Sequence, residues 1–360
     1  MMHTIITTVN HRNILHSYLF IKDNLHHTDT IIFLYEEDAK PYIDNLILLL
    51  NSNSVDDPNR LNFHSFCIFS HALADTSEII KNHIFKILRQ NPGKPILLNL
   101  TCKNEILSLT LFDHLKDLPN LSAFSVVPSK NIYIAVAPNH IYNQTREFKT
   151  NLKLDEFFNI FGFEIISSDN NYNTPQNCPS PEARLKDYLN TKQTDHNIIN
   201  QNNKFTSEQK EYLTGRWLEL LIYNTFKKKG NISKKRLSMN IKFKNSLINY
   251  QTRRLNDSND YELDVAVVHK NTLHIIECKT FFEHQKLFDA MFKISSIQKL
   301  FPENVKSHIF SLTRFDSQVG NLEKEILMRK KDILNIESIA TLNVVSKNQK
   351  LTEFIENILS

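Results

Sequence analysis

The sequence predicts an α/β protein made of a mostly parallel sheet domain and a second α/β domain. The first half alternates short β-branched runs with amphipathic stretches, which is the pattern of βαβ units. The composition then changes at residues 167–204 to mainly Asn, Pro, Ser, Asp and Gln, which predicts a linker. A length of 360 residues, of which 41% are hydrophobic, supplies enough apolar surface for two cores.

Four strands are predicted in the first hundred residues, because β-branched and aromatic residues cluster there between polar segments. They span residues 3–9, 30–35, 61–69 and 95–101. Apolar residues at helical spacing predict the helices between and after them, at 12–24, 38–50, 75–90 and 103–115. A hairpin at 121–127 and 131–137 comes next, followed by a short helix at 154–165 that ends near Gly162.

The second half is predicted to begin with a long helix, and one short helix near 181–190 is expected inside the linker. The predicted strands are 236–244, 261–269, 272–279 and 306–312. The predicted helices are 206–228, 284–300, 318–333 and 348–359. These elements divide the chain into a first domain at 1–166, the linker at 167–204 and a second domain at 205–360.

Composition excludes several classes of protein. Only five glycines are present, so there is no Walker loop and no complete G-x-G-x-x-G fingerprint. The four cysteines are far apart, which argues against a disulfide scaffold or a structural zinc site. No apolar run approaches the roughly 18 residues of a membrane span, and the N-terminus lacks the order of a signal peptide. We therefore expect a cytoplasmic protein without a membrane partner, whose net charge of +4 permits an anionic one.

The strongest chemical signal lies at the ends of two strands in the second half. Thirteen residues separate Asp264 from Glu277, which suits an antiparallel hairpin whose ends lie together. Glu277 and Lys279 are two residues apart on one strand and so share a face of the sheet. Two converging carboxylates repel unless a cation lies between them, and Mg²⁺ or Mn²⁺ suits such oxygen ligands. Glu219, on the preceding helix, supplies a further metal-binding carboxylate, and Lys279 is placed to orient an attacking water.

The two side chains of an isolated Glu-x-Lys on a strand usually lie on a solvent-exposed face of the sheet. Here it follows the apolar run Leu273-His274-Ile275-Ile276 and shares a hairpin with Glu262-Leu263-Asp264-Val265. This combination resembles the PD-(D/E)XK nuclease superfamily, whose motif matches Asp264, Glu277, Lys279 and, on the upstream helix, Glu219. The resemblance implies metal-dependent hydrolysis of phosphodiester bonds in DNA or RNA.

A basic stretch lies between Glu219 and Asp264. Ten lysines and arginines at 225–254 are uninterrupted by an acidic residue. A run of charged residues often forms only a solvent-exposed face. A positively charged groove beside a metal site, however, also attracts a nucleic acid strand. Phe226, Phe243 and Tyr250 offer rings for base stacking, although core packing is the more usual role for the first two.

The first half carries polar residues where two of its predicted strands end. Thr8 and Asn10 follow the first strand, and Thr101 and Lys103 follow the fourth. In an open parallel sheet, ligands bind beyond the carboxyl ends of the strands, where the next helix starts offer N–H groups to anions. We therefore predict an anion pocket at these four residues. Helix capping by Asn10 and Thr101 is an equally simple explanation for two of them.

The segment Asn99-Leu100-Thr101 and the helix that follows it resemble the Asn-x-Thr-Gly-Gly-Thr-Lys turn of the CRISPR-associated Rossmann fold, or CARF, with Cys102-Lys103-Asn104 in place of the glycines. The helix at 154–165 is similar to the last helix of that fold. Together with the PD-(D/E)XK motif, these features resemble the type III CRISPR ancillary nucleases. The resemblance implies a homodimeric, Mg²⁺- or Mn²⁺-dependent nuclease for DNA or RNA that a cyclic oligoadenylate, taken here as cyclic tetraadenylate, activates.

Two other functions stay open at the level of sequence. One is a ligand-independent restriction or repair nuclease whose first half serves dimerisation or DNA binding. The other is a nucleotide-binding regulatory module with an inactive nuclease domain, against which the intact Asp264, Glu277 and Lys279 set argues. A plasmid assay distinguishes these two functions from the activated nuclease: the activated nuclease cleaves only with cyclic tetraadenylate, the restriction or repair nuclease cleaves without it, and the regulatory module does not cleave.

Overall fold

The computed structural model describes most of the chain and contains two sheets. The described residues are 2–53, 61–68, 73–101, 105–127, 130–136, 145–191, 205–247, 260–280, 284–313 and 318–360. The first sheet has seven strands and the second has six, and helices accompany both. The predicted α/β class is therefore confirmed.

The first sheet has the strand order β3-β2-β1-β4-β5-β6-β7. Its strands are β1 (His3–Val9), β2 (Thr28–Tyr35), β3 (Asn62–Cys67), β4 (Ile96–Asn99), β5 (Leu121–Val127), β6 (Ile132–Val136) and β7 (Thr145–Glu147). The first five pair in parallel, whereas β5, β6 and β7 pair antiparallel. Since β1 lies between β2 and β4, the strand order reverses there, which is the ligand-binding position of Rossmann-like sheets.

The helices of this domain largely follow the predicted positions. They are α1 (Ile14–Asn24), α2 (Lys40–Asn53), α3 (Leu73–Ile79), α4 (Phe85–Gln90), α5 (Glu105–Leu115) and α6 (Leu154–Ile160). A π-helical turn, Ile80–Ile84, joins α3 to α4, where the sequence predicts one continuous helix. Helix α6 ends before Gly162, whose φ of 76° is a left-handed conformation that suits glycine.

The second sheet has the order β13-β12-β11-β10-β9-β8. Its strands are β8 (Phe163–Asp169), β9 (Leu237–Asn245), β10 (Tyr261–His269), β11 (Thr272–Lys279), β12 (Val305–Ser311) and β13 (Ser338–Ala340). Strand β8 crosses the predicted boundary at residue 166 and pairs with β9, so the chain enters the second sheet before the predicted linker begins. The exposed, weakly alternating sequence of this edge strand gives it little strand signal.

The helices around the second sheet also agree with the predicted set. They are α7 (Pro181–Thr191), α8 (Ser207–Glu211), α9 (Trp217–Lys229), α10 (His284–Gln298), α11 (Gln318–Ile333), α12 (Leu342–Val345) and α13 (Asn348–Leu359). A π-helical turn, Tyr212–Arg216, joins α8 to α9. Helix α7 confirms the short helix expected near 181–190. Its Tyr188 is buried beside Trp217, so this part of the predicted linker packs into the core of the second domain.

The two domains share a core of aromatic rings. Phe301, which follows α10, lies 5.4 Å from Phe158 and 5.0 Å from Phe163, measured between ring centroids. Phe161 and Phe243 belong to the same cluster. Because these residues come from α6, β8, β9 and the segment after α10, the cluster fixes the first domain against the second sheet.

Among the described residues, no helix is long and apolar enough to cross a membrane.

Candidate functional site

A tight hairpin brings the predicted carboxylates together. Strands β10 and β11 pair antiparallel, with Val265 opposite Ile276 and His269 opposite Thr272. Lys270 and Asn271 form the turn, and both have positive φ, at 46° and 58°, as a type I′ turn requires. This register brings Asp264 and Glu277 together at the open end of the hairpin, as the sequence predicts.

Strand β10 changes the direction of its side chains at Asp264. Leu263 packs into the core shared with the first domain, whereas Val265 packs into the core beneath α9. Residues two apart on a regular strand would share a face. On β9, Asn240 lies between the partners of these two residues and has a φ of 48°. Asp264 therefore stands at an irregular point of the sheet, and its Oδ2 accepts a 2.6 Å hydrogen bond from the backbone N–H of Cys278.

Two lysines contact the Glu277 carboxylate, which has no solvent exposure. The Lys279 Nζ lies 2.6 Å from Glu277 Oε1 and 3.8 Å from Asp264 Oδ2. The Lys293 Nζ, from helix α10, donates to both oxygens of Glu277 at 2.9 and 3.0 Å. Burial lowers the pKa of Lys279, but the Asp264 and Glu277 carboxylates outweigh it and hold that pKa above its usual value. Lys279 therefore carries its positive charge at neutral pH.

Glu219 joins this group from the other side of the sheet, on the first turn of α9. Burial, together with the nearby Asp264 carboxylate, raises the pKa of Glu219 to about 8. Burial and the Glu277 carboxylate raise the pKa of Asp264 to about 6. Burial is the larger cause of both shifts and carboxylate repulsion the second, so the site disfavours several charged carboxylates without a further positive charge. Such a site favours a bound cation.

The sequence analysis did not identify Lys293. Helical spacing places it beside Ile294 and three residues after Ala290, at the border of the buried face of α10. A lysine at such a border ordinarily extends into solvent. Only the packing of α10 on β11 directs this one to Glu277.

The described lysines of the basic stretch are exposed, whereas Arg236 is half-buried. Lys227, Lys228 and Lys229 end α9, and Lys242 and Lys244 project from β9. Phe226 and Phe243 are buried, so their role is core packing. Tyr250, Arg253 and Arg254 lie outside the described residues.

Three of the four residues predicted to bind a ligand are described, and they lie at the switch point between β1 and β4. Asn10 Oδ1 accepts hydrogen bonds from the backbone N–H groups of Arg12 and Asn13, and so orders the turn before α1. Thr101 Oγ1 accepts a hydrogen bond from the N–H of Val126, while Lys103 lies outside the described residues. Thr8 is buried, and its Oγ1 has no hydrogen-bond partner among the described residues.

Asn13 joins the two strand ends and was missed by the sequence analysis. Its Nδ2 donates to the carbonyl oxygens of Thr8, at 3.1 Å, and Thr101, at 2.8 Å. Beneath them, Asn99 Nδ2 donates to Thr7 Oγ1, which donates to Ser17 Oγ. Asn13 lies four residues after the end of the first strand, in the same polar segment as Asn10, so this segment could have indicated Asn13 as well. Its partner Thr101 is 88 residues away, a distance that sequence reasoning does not bridge.

Comparisons with known proteins agree with this architecture. The model of the Card1-like endonuclease domain family matches residues 206–334. The structure of protein VC1899 from Vibrio cholerae superposes with a TM-score of 0.70 at 16% identity, over 98% of both chains. The structure of Can2 from Sulfobacillus thermosulfidooxidans in complex with cyclic tetra-adenylate gives a TM-score of 0.70 at 17% identity, over 98% of this chain and 96% of that one. No curated protein matches the sequence.

The fold and the site together define a Rossmann-like domain joined to a domain with a nuclease-type carboxylate hairpin. More particularly, residues 206–334 are similar to the Card1-like endonuclease domain family, and the whole chain has the fold of Can2 and VC1899. The family match and the shared fold support the resemblance to type III CRISPR ancillary nucleases that the sequence indicates.

Proposed function

We propose that the protein is a nuclease activated by a cyclic oligoadenylate, of which cyclic tetraadenylate is the first candidate, and that it hydrolyses phosphodiester bonds of DNA or RNA with Mg²⁺ or Mn²⁺. The observation that carries the proposal is the convergence of Asp264, Glu277 and Lys279 at the open end of one hairpin. The Card1-like endonuclease match, which spans this hairpin, supports it.

The residues present fit a divalent cation. Asp264 and Glu277 supply oxygen ligands, and a cation between them relieves the repulsion that raises the pKa of Asp264. Among the described residues, no three His, Cys, Asp or Glu side chains converge closely enough to enclose an ion. Mg²⁺ is commonly held by one or two carboxylates and several waters, so the pair suffices. Glu219 then contributes through a bound water or after a small movement.

The chain's own residues supply the remaining chemistry. A bound cation provides Lewis-acid stabilisation and a more acidic water. Lys279 donates toward the same point as the two carboxylates, so it positions the attacking oxygen or stabilises charge on the phosphate. Lys293, from helix α10, neutralises the Glu277 carboxylate and holds it in place.

The switch-point pocket is the proposed activator site. Thr8, Asn10 and Thr101 lie at the ends of β1 and β4, and the Oγ1 of Thr8 is a buried hydrogen-bonding group without a partner among the described residues. Lys103, two residues after Thr101 in the sequence, is the fourth proposed ligand. The Can2 structure carries cyclic tetra-adenylate on the same fold, which supports this class of ligand for the present chain. Two such domains related by a two-fold axis would enclose one ring.

The test is cleavage of plasmid, single-stranded DNA and RNA in Mn²⁺ or Mg²⁺, with and without cyclic tetraadenylate. Cleavage that needs both metal and ligand supports the proposal. Cleavage without ligand indicates a restriction or repair nuclease, and no cleavage on any substrate indicates a regulatory module. EDTA should abolish the activity.

Replacing Glu277 tests the metal site. Glu277→Ala should lower the cleavage rate by roughly 10²-fold or more, because loss of a metal ligand costs several kcal/mol of transition-state stabilisation. Activator affinity, measured by calorimetry, should barely change. Glu325→Ala, which removes an exposed carboxylate on α11, is the matched control and should cleave normally. Wild-type cleavage by Glu277→Ala would contradict the site.

A further inference from the structure

We propose that helix α1 and Asn271 form a mechanical connection that transmits the state of the activator pocket to the catalytic hairpin. This inference rests on the proposed function, because it concerns how ligand binding in one domain changes hydrolysis in the other. Its basis is a continuous set of hydrogen bonds that leads from the switch point of the first sheet to the turn between β10 and β11.

The first part of this connection is helix α1. Its N-terminal end starts at Asn13, whose side chain joins the ends of β1 and β4 at the proposed pocket. Near its C-terminal end, Asp23 Oδ1 accepts hydrogen bonds from the N–H groups of Lys149 and Thr150, at 2.8 and 3.0 Å. An 11-residue helix is about 16 Å long and is rigid over that length. A displacement at the pocket therefore reaches residues 149–150.

The second part is the turn residue Asn271, which is 1% exposed. Its Nδ2 donates to the carbonyl of Thr150 at 2.9 Å and to Asn131 Oδ1 at 2.6 Å. Its Oδ1 accepts from the N–H of Leu152 at 2.9 Å. All three partners belong to the first domain, so this single side chain fastens the turn of the catalytic hairpin to that domain.

The third part is the hairpin itself. Asn271 lies at one end and Asp264 and Glu277 lie at the other, about 20 Å away at roughly 3.3 Å per residue. Both strands are buried along most of their length, so the hairpin moves as a unit rather than bending. Movement of the turn therefore changes where the carboxylates stand relative to Glu219 and Lys293, which belong to separate helices.

Helix α1 also reaches the opposite side of the site. His16 Nδ1 lies 2.8 Å from Glu303 Oε2, in the segment that follows α10. Lys22 and Tyr18 both contact the buried Glu156 on α6. Helix α1 therefore contacts the segment that follows α10, the helix that carries Lys293, and is connected through residues 149–150 to the turn of the hairpin. This arrangement lets one helix displace the hairpin relative to its surroundings.

The backbone conformation of Asn271 allows a substitution that removes its side-chain contacts and keeps the turn. Its φ of 58° suits glycine as well as asparagine, so Asn271→Gly keeps the type I′ turn and removes only the three side-chain hydrogen bonds. Asn131 has a φ of 55°, so Asn131→Gly likewise keeps its backbone and removes one of these bonds. The exposed Asn177, with a φ of 64°, is distant in sequence from these contacts, and Asn177→Gly is the matched control.

The experiment compares these variants with the wild type for cyclic tetraadenylate affinity, by calorimetry, and for cleavage with and without saturating activator. Asn271→Gly should bind the ligand within about threefold of the wild type but lose at least fivefold of the stimulation, the lower end of ordinary allosteric coupling. Asn131→Gly should lose less. Asn131→Gly in the Asn271→Gly background should lose little more, because the shared bond is already gone.

The outcomes separate this inference from the proposed function. A wild-type protein that cyclic tetraadenylate does not stimulate contradicts the proposed function and this inference with it. A stimulated wild type together with an equally stimulated Asn271→Gly variant contradicts this inference alone. Equal loss in Asn177→Gly would also contradict it, since that effect would not depend on the contact. Thermal melting of each variant establishes that the fold is retained, and Asn131→Gly provides the second test if Asn271→Gly melts early.

Discussion

At the scale of single residues, the site is organised around a buried carboxylate. Glu277 has no solvent exposure and is contacted by Lys279 and Lys293 from two different elements. A buried charge is tolerated only when it is paired, so each lysine stabilises the protein as well as the site. The Glu-x-Lys motif reveals Lys279 from sequence alone. Lys293 lies on a helix, and no local pattern associates it with Glu277.

Removing Lys293 should impair catalysis without preventing folding. Lys293→Met keeps the apolar stem of the side chain and removes the ammonium that contacts both oxygens of Glu277. We expect cleavage to fall by about tenfold or more, since loss of one charge contact at a reacting site costs roughly 1.4 kcal/mol or more. Lys299→Met, an exposed lysine just beyond α10, should cleave normally in the same assay. Equal rates for both variants would exclude Lys293 from the site.

At the scale of elements, a pair of buried histidines joins neighbouring strands of the second sheet. One lies on β11 and the other on β12, and the second also contacts β13. His274 Nδ1 lies 3.0 Å from His308 Nε2, and His308 Nδ1 lies 2.8 Å from Ser338 Oγ. Burial lowers the pKa of His274 to about 3, and it lowers that of His308 as well. Both rings are therefore neutral in the folded protein at neutral pH.

This histidine pair predicts that the folded protein becomes less stable as the pH falls. The unfolded chain binds a proton at His274 near pH 6.5, whereas the folded protein does not until about pH 3, so stability is full above pH 6.5 and is lost as the pH falls. The loss approaches about 1.4 kcal/mol per pH unit for one such histidine. His274→Gln should make the free energy of unfolding fall less steeply between pH 6.5 and 4, measured by urea denaturation. His26→Gln, at an exposed site, should leave the slope unchanged.

At the scale of the whole molecule, the aromatic cluster around Phe301 holds the two domains together. The Phe301 ring lies within 6.2 Å of the rings of five other phenylalanines, measured between centroids. Phe301→Ala should lower the free energy of unfolding by about 3–5 kcal/mol, because it leaves a cavity at this contact. Phe292→Ala, on the exposed side of α10, should cost far less. Similar melting temperatures for the two variants would contradict the role assigned to the cluster.

The assembly has its own prediction. A cyclic tetranucleotide has two-fold symmetry, and the activator site proposed on one chain matches half of it, so a two-fold homodimer should enclose one ring. Light scattering should give a dimer without ligand, and calorimetric titration should saturate at one ring per two chains. Lys103→Glu should weaken the affinity by placing a negative charge beside the phosphates. A fully active monomer that binds one ring per chain would contradict this model.

The sequence by itself determined the α/β class, most helices and strands, and the hairpin that brings Asp264 to Glu277. Each of these depends on local periodicity or on a short spacing, such as the thirteen positions from Asp264 to Glu277. Only the tertiary structure decided that β8 joins the second sheet, that Lys293 contacts Glu277 and that Asn271 is bound to the first domain. These contacts join residues up to 140 positions apart, and packing rather than any local pattern brings such residues together.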